Sequence, residues 1–90
     1  MDEIDDSPTP AATDTATESA VLQQLLDLHP VQLTAAELIR EVGGGSPSFS
    51  ERDAIERAIR DLTGAGLLHD HDGFVIPTRA ALRFSELLDR

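Results

Sequence analysis

The sequence predicts an α+β domain of mostly helical content, with a three-helix core, a β-hairpin and a C-terminal helix. Three observations predict it. Apolar residues recur at helical spacing in four separate stretches. Three of those stretches open on a hydroxyl side chain with a carboxylate three positions on, the spacing of a helix N-cap. One β-rich segment, Leu67 to Ile76, carries an Asp-Gly pair of the kind favoured in hairpin turns. The stretch on which the rest is organised is Ser50 to Pro77, which reads as one amphipathic helix, a glycine stop and the hairpin.

A chain of 90 residues fits one domain and buries only ~60% of its unfolded surface. No cysteine is present, so there is neither a disulfide nor a thiolate metal site. No run approaches the ~18 apolar residues of a membrane span, and the acidic start, MDEIDDSPTP, lacks the basic and apolar parts of a signal peptide. A cytoplasmic protein with no membrane contact is expected. The three Phe are the only aromatics, which argues against base-stacking platforms for single strands.

The net charge of −10 is uneven: the six acids Asp2, Glu3, Asp5, Asp6, Asp14 and Glu18 leave −4 for the remainder. Every base is an arginine. Arginine suits bidentate pairing to phosphate or guanine, although codon bias in a GC-rich genome produces the same choice. Residues 1–16 are polar, acidic and without period, and read as a disordered tail before a folded domain over residues 17–90.

Thr15 and Glu18 have capping-box spacing, and Val21, Leu22, Leu25, Leu26 and Leu28 form the apolar face of a first helix. Pro30 stops it near His29. Val31-Gln32-Leu33 suffices for one edge strand. Thr34 and Glu37 cap a second helix, with Leu33 and Leu38 at hydrophobic-staple positions and Ala35, Leu38, Ile39 and Val42 as its buried stripe. Gly43-Gly44-Gly45 ends it. Those glycines follow a helix instead of a strand and lack the lysine of a phosphate-binding loop. The third helix starts at Ser48 or Ser50, with Phe49 packing inward. Its apolar stripe is Ala54, Ile55, Ala58, Ile59 and Leu62, against a charged face of Arg52, Asp53, Glu56, Arg57, Arg60 and Asp61. After Gly64 and Gly66 comes the hairpin, Leu67-Leu68 pairing with Phe74-Val75-Ile76 through His69-Asp70-His71-Asp72-Gly73. Thr78 caps a last helix carrying Ala81, Leu82, Phe84, Leu87 and Leu88.

The order L-T-A-A-E-L, then A-I-E-R-A-I-R-D-L, then G-A-G-L-L and D-G-F-V-I-P-T resembles the winged helix-turn-helix superfamily over roughly Ala20 to Leu88. It is also similar to small actinobacterial winged-helix domains without an assigned activity. The resemblance implies a DNA-binding transcriptional regulator that sets its third helix in the major groove and its hairpin, the wing, against the backbone. By position Ser50, Arg52, Arg57 and Arg60 then face double-stranded DNA, with Arg79 at the start of the last helix. Arg52 reads a base edge, worth ~1–3 kcal/mol of discrimination, while Arg57 and Arg60 hold phosphates.

The charge pattern opposes that implication. Glu51, Asp53, Glu56 and Asp61 share the helix with the arginines, and Asp70 and Asp72 make the hairpin tip acidic, whereas phosphate attraction dominates nucleic-acid affinity. Glu56 with Arg60, and Asp53 with Arg57, fit i,i+4 pairs on a solvated face. The alternative expectation is a winged helix that does not bind DNA and serves as a protein-interaction or dimerisation module, with Phe84 marking the interface if it points outward; burial of Phe84 in the core is the default. His69 and His71 fall on one side of a strand, but two histidines without a further ligand fit a polar turn better than a metal site. Ser46, Ser48 and Ser50 lack a nucleophile-elbow pattern. No enzyme, cofactor or metal is expected.

Overall fold

The computed structural model of the chain describes residues 10–89. It is mostly helical: α1 (Pro10–Leu28), β1 (Leu33–Thr34), α2 (Ala35–Gly43), α3 (Phe49–Gly64), β2 (Leu68–His71), β3 (Phe74–Pro77) and α4 (Arg79–Leu88). The strands form one antiparallel sheet in the order β1-β3-β2. Leu33 pairs with Val75 on one side of β3, and His69 pairs with Ile76 on the other. The second strand arises from a local rule: Asp72 (φ 55°) and Gly73 (φ 88°) take the left-handed conformations of a two-residue hairpin turn between His71 and Phe74.

Helix α1 begins earlier than expected. It starts at Pro10, a residue suited to a first helical position, where no N–H is needed. The Thr15-x-x-Glu18 box therefore lies inside the helix, and Pro10 to Ala16 belong to it instead of to the expected tail. The rest of that tail, residues 1–9, lies outside the described residues. The other end is as expected: α1 stops at Leu28, two residues before Pro30. Strand pairing then involves Leu33 and Thr34, leaving Val31 55% exposed and unpaired in the sheet.

The capping chemistry sets the next two helices. Thr34 Oγ1 accepts from the Glu37 N–H at 3.2 Å while Thr34 N–H donates to Glu37 Oε1 at 2.8 Å. Ser48 and Glu51 make the same reciprocal pair at 3.1 and 2.8 Å. Ser48, and not Ser50, is thus the cap of α3. Each cap satisfies donors that a helix start leaves without partners. Thr78 joins the last helix to the sheet: its hydroxyl accepts from Ala81 N–H and donates to the Gly66 carbonyl at 2.8 Å, and its N–H donates to the Leu67 carbonyl at 3.0 Å.

The core is one cluster. Val21 and Leu25 from α1, Leu38 and Ile39 from α2, Ile55, Ala58 and Leu62 from α3, Leu68 from β2 and Val75 from β3 are all buried, and Leu22, Leu33, Val42, Ile59 and Leu67 pack around them. No polar or charged residue among those described is buried, so burial of apolar surface holds the fold. Three expected core members are absent, Phe84 of α4 among them. Ala35 is exposed. Phe49 is 87% exposed, because with Ser48 as the cap it occupies the first helical position, about 140° around α3 from the Ile55-Ala58-Leu62 stripe at 100° per residue.

The last residue of α3, Gly64, is a test of this arrangement. A Cβ added there meets nothing within 4 Å, and its φ is not in the left-handed region. Gly64→Ala is expected to stabilise the domain by ~0.5–1 kcal/mol through lower unfolded-state entropy and better helix propensity. A thermal melt checks this; a lowered midpoint would show that the α3 terminus is not the open helix end described.

Candidate functional site

Two exposed surfaces carry chemistry. The first is the α3 face, from which the resemblance draws four of its five contacts. These four residues are spread along α3 from Ser50, in its first turn, to Arg60. Arg52 lines a groove of about 560 Å³ between α2 and α3, together with Arg40, Glu56 and the Gly45-Ser46-Pro47 loop. Arg60 is exposed two turns further along, and among the described residues neither it nor Arg52 has an ion pair. Ser50 is exposed on another side of the helix and lines a separate groove, of about 470 Å³, with Ala16, Thr17 and Ala20 of α1. Arg79 is exposed at the start of α4, on a different element.

Arg57 is engaged within the chain. Its guanidinium donates one bond to Asp53 Oδ2 at 2.8 Å and another to Asp14 Oδ1 at 3.2 Å, a residue 43 positions away in sequence. Its pKa is raised above the ordinary arginine value, first by the hydrogen bond to Asp14, then by the charge of Asp14, with Asp53 and Asp61 adding. A half-buried arginine held by two carboxylates presents a neutralised surface. The expected Asp53–Arg57 pair is therefore present, and Asp14 is a third member that no local spacing announces. The expected pair of Glu56 with Arg60 is not found among the described residues.

The hairpin tip is exposed and acidic. His69 and His71 do share a side of β2, with ring centroids 6.4 Å apart, and His71 Nε2 lies 3.6 Å from Asp72 Oδ2. Asp70 Oδ1 accepts from Gly73 N–H at 3.2 Å, so that carboxylate closes the turn. Among the described residues no group of three or more potential ligands stands close enough to hold a metal, and no helix is long and apolar enough to cross a membrane.

The second surface lies on α4. Ala81 is buried and Leu82 half-buried, but Phe84 is 60%, Leu87 52% and Leu88 70% exposed. This corrects the expectation that Phe84 fills the core. Phe84 and Leu88 face Leu22 and Leu26 of α1 across a shallow groove of about 240 Å³. Apart from Leu82, the apolar residues of α4 fall within one stripe about 120° wide at 100° per residue, and of that stripe only Ala81 is buried. Such a stripe has the same spacing whether it faces a core or a partner, so the exposure of Phe84 carries no signal in the sequence.

No protein-family model, curated protein or solved structure matches the chain. Its class is accordingly given by the architecture of the described residues: a small α+β domain of four helices and a three-stranded antiparallel sheet.

Proposed function

We propose that this chain is a winged-helix module that works by protein association, through the surface formed by α1 and α4, and not by holding DNA. The winged-helix reading is supported by the order helix, strand, helix, helix, hairpin, helix and by β1 joining the hairpin as a third strand. The association reading is carried by one observation: Phe84, Leu87 and Leu88 lie exposed together on α4, beside Leu22 and Leu26. Contiguous exposed apolar side chains on a small monomer mark an interaction surface. The electrostatics agree. A net charge of −10, an acidic hairpin tip and an Arg57 already paired with two carboxylates oppose the phosphate contacts on which duplex binding rests.

A second reading is favoured by a specific observation. Arg40, Arg52 and Arg60 are exposed without ion-pair partners among the described residues, and two of them line the groove between α2 and α3. In a DNA-binding winged helix these arginines would contact the duplex. A mobility-shift assay with bulk duplex DNA, at about 50 mM and about 200 mM salt, separates the readings. Association through α1 and α4 predicts no shift at either salt. A shift at low salt that fades at the higher one, and that Arg52→Ala weakens, would establish the DNA reading in its place.

A further inference from the structure

We infer that the occupant of the α4 surface is a second copy of this chain, its α4 antiparallel to the first about a twofold axis near Phe84. The inference rests on the protein-association reading above and names the partner. Three features of α4 point to it. First, its charges run against its own dipole. Arg79 and Arg83 stand in its first half, and Glu86 and the C-cap Asp89 at its end, with no acid in the first turn and no base in the last. An isolated helix prefers the reverse. An antiparallel copy sets each helix end beside the opposite dipole and the opposite charge. Second, Ala80, Phe84 and Leu87 follow the i, i+4, i+7 spacing of a helix-pairing seam. With Phe84 at the axis, the exposed Leu88 of one copy falls opposite the exposed Ala80 of the other, so a large side chain meets a small one. Third, Arg83 and Glu86, exposed and 3.2 Å apart within one chain, flank the same side of this seam. In the antiparallel pair each reaches its opposite number in the second copy, and the four charges alternate in sign. Such an isologous contact closes on itself as a dimer.

Sedimentation equilibrium of the full chain, from about 5 µM to about 500 µM, tests this, since self-association follows concentration. The expected result is a reversible monomer–dimer equilibrium. Phe84→Glu abolishes it while leaving the far-ultraviolet circular dichroism and the melting midpoint of the monomer unchanged. Arg83→Glu and Glu86→Arg each set like charges across the axis and raise the dissociation constant about tenfold or more. Glu86→Arg lowers the overall negative charge, so its weakening cannot come from general repulsion. An equimolar mixture of the two single variants, and the double variant Arg83→Glu/Glu86→Arg, both restore opposite charges and regain dimerisation. A wild type monomeric at every concentration overturns the inference, as does a mixture that fails to restore association. A monomeric wild type that also shifts no DNA leaves the association reading standing with a different occupant. A dimer that shifts DNA overturns that reading and keeps the dimer.

Discussion

Leu38→Ala is expected to cost the domain ~2–5 kcal/mol of unfolding free energy. Leu38 has no exposed surface. It is the fourth residue of α2, held in place by the Thr34 cap before it, and it lies in the cluster shared by α1, α2, α3 and both hairpin strands. A helix of nine residues has no stability of its own in water. Only Leu38 and Ile39 anchor α2 as buried residues, so α2 has little means of collapsing into the space that truncation opens. In a small domain 1 kcal/mol moves the melting midpoint by ~4–8 °C, which puts the expected loss at tens of degrees or outright unfolding near body temperature. Phe49→Ala is the matched control. At a buried site it would cost ~3–5 kcal/mol, but with 87% of Phe49 exposed the expected change is within ~0.5 kcal/mol. Urea or thermal unfolding measures both. Equal losses for the two would show that the core is not assembled as described.

Those two residues also show how much of the fold could be read ahead. Leu38 was legible because capping and periodicity agree: Thr34 and Glu37 fix where α2 starts, and the start fixes which residues face inward. The same local logic located the Asp72-Gly73 turn, the Pro30 stop and the Thr78 cap. Phe49 was misread because Ser48 and Ser50 both offer a cap with an acid three residues on. With Ser50 as the cap, Phe49 would precede the helix at the position from which a hydrophobic staple packs inward, whereas with Ser48 as the cap it is the first helical residue, on the side away from the stripe. Only the geometry, with Ser48 Oγ on the Glu51 N–H, resolves it. The start of α1 was misplaced for a related reason, since a capping box inside a helix has the same spelling as one at its end.

The candidate surfaces were less legible than the elements that carry them. Arg57 has a near neighbour in Asp53, one turn away, and that pair could be read directly. Asp14 is 43 residues distant, and only the packing of α1 across α3 brings it to the guanidinium. A run of acids at the start of the chain thus reads as solvent-facing composition until the fold shows one of them neutralising a base. Phe84 failed in the opposite direction. Its residue type favours the core, but the core is already closed by α1, α2, α3 and the hairpin. A fourth helix added after closure contributes Ala81 to the interior and leaves its larger side chains outside. Burial depends on how much interior remains when an element docks, which no single stretch of sequence states.

Gly43→Ala is expected to lower stability by ~1–3 kcal/mol, the reverse of what the exchange does in most helices. Replacing a helical glycine by alanine ordinarily stabilises by ~0.5–1 kcal/mol, and Gly64→Ala should do so at the end of α3. Gly43 also closes a helix, yet a Cβ there would stand 2.6 Å from Cβ and 3.1 Å from Cγ of Pro47, with Ile55 Cδ1 at 3.6 Å. The proline ring cannot swing away as a long flexible chain would. Pro47 is followed directly by Ser48, the cap of α3, so displacing it disturbs the Ser48–Glu51 bonds or pushes α2 off Ile55. The neighbouring Gly44 and Gly45 serve a different need, since both take positive φ, at 81° and 97°, to turn the chain after the helix. The glycine run therefore combines one position chosen for space with two chosen for backbone conformation. Pro47→Gly in the same background removes the Cβ that the new methyl meets. In a double-mutant cycle the pair should couple favourably by about 1 kcal/mol or more. A Gly43→Ala variant as stable as the wild type, or a cycle without coupling, would mean that α2 and α3 do not meet through this contact, and the groove that joins Arg40 to Arg52 would lose its geometric basis.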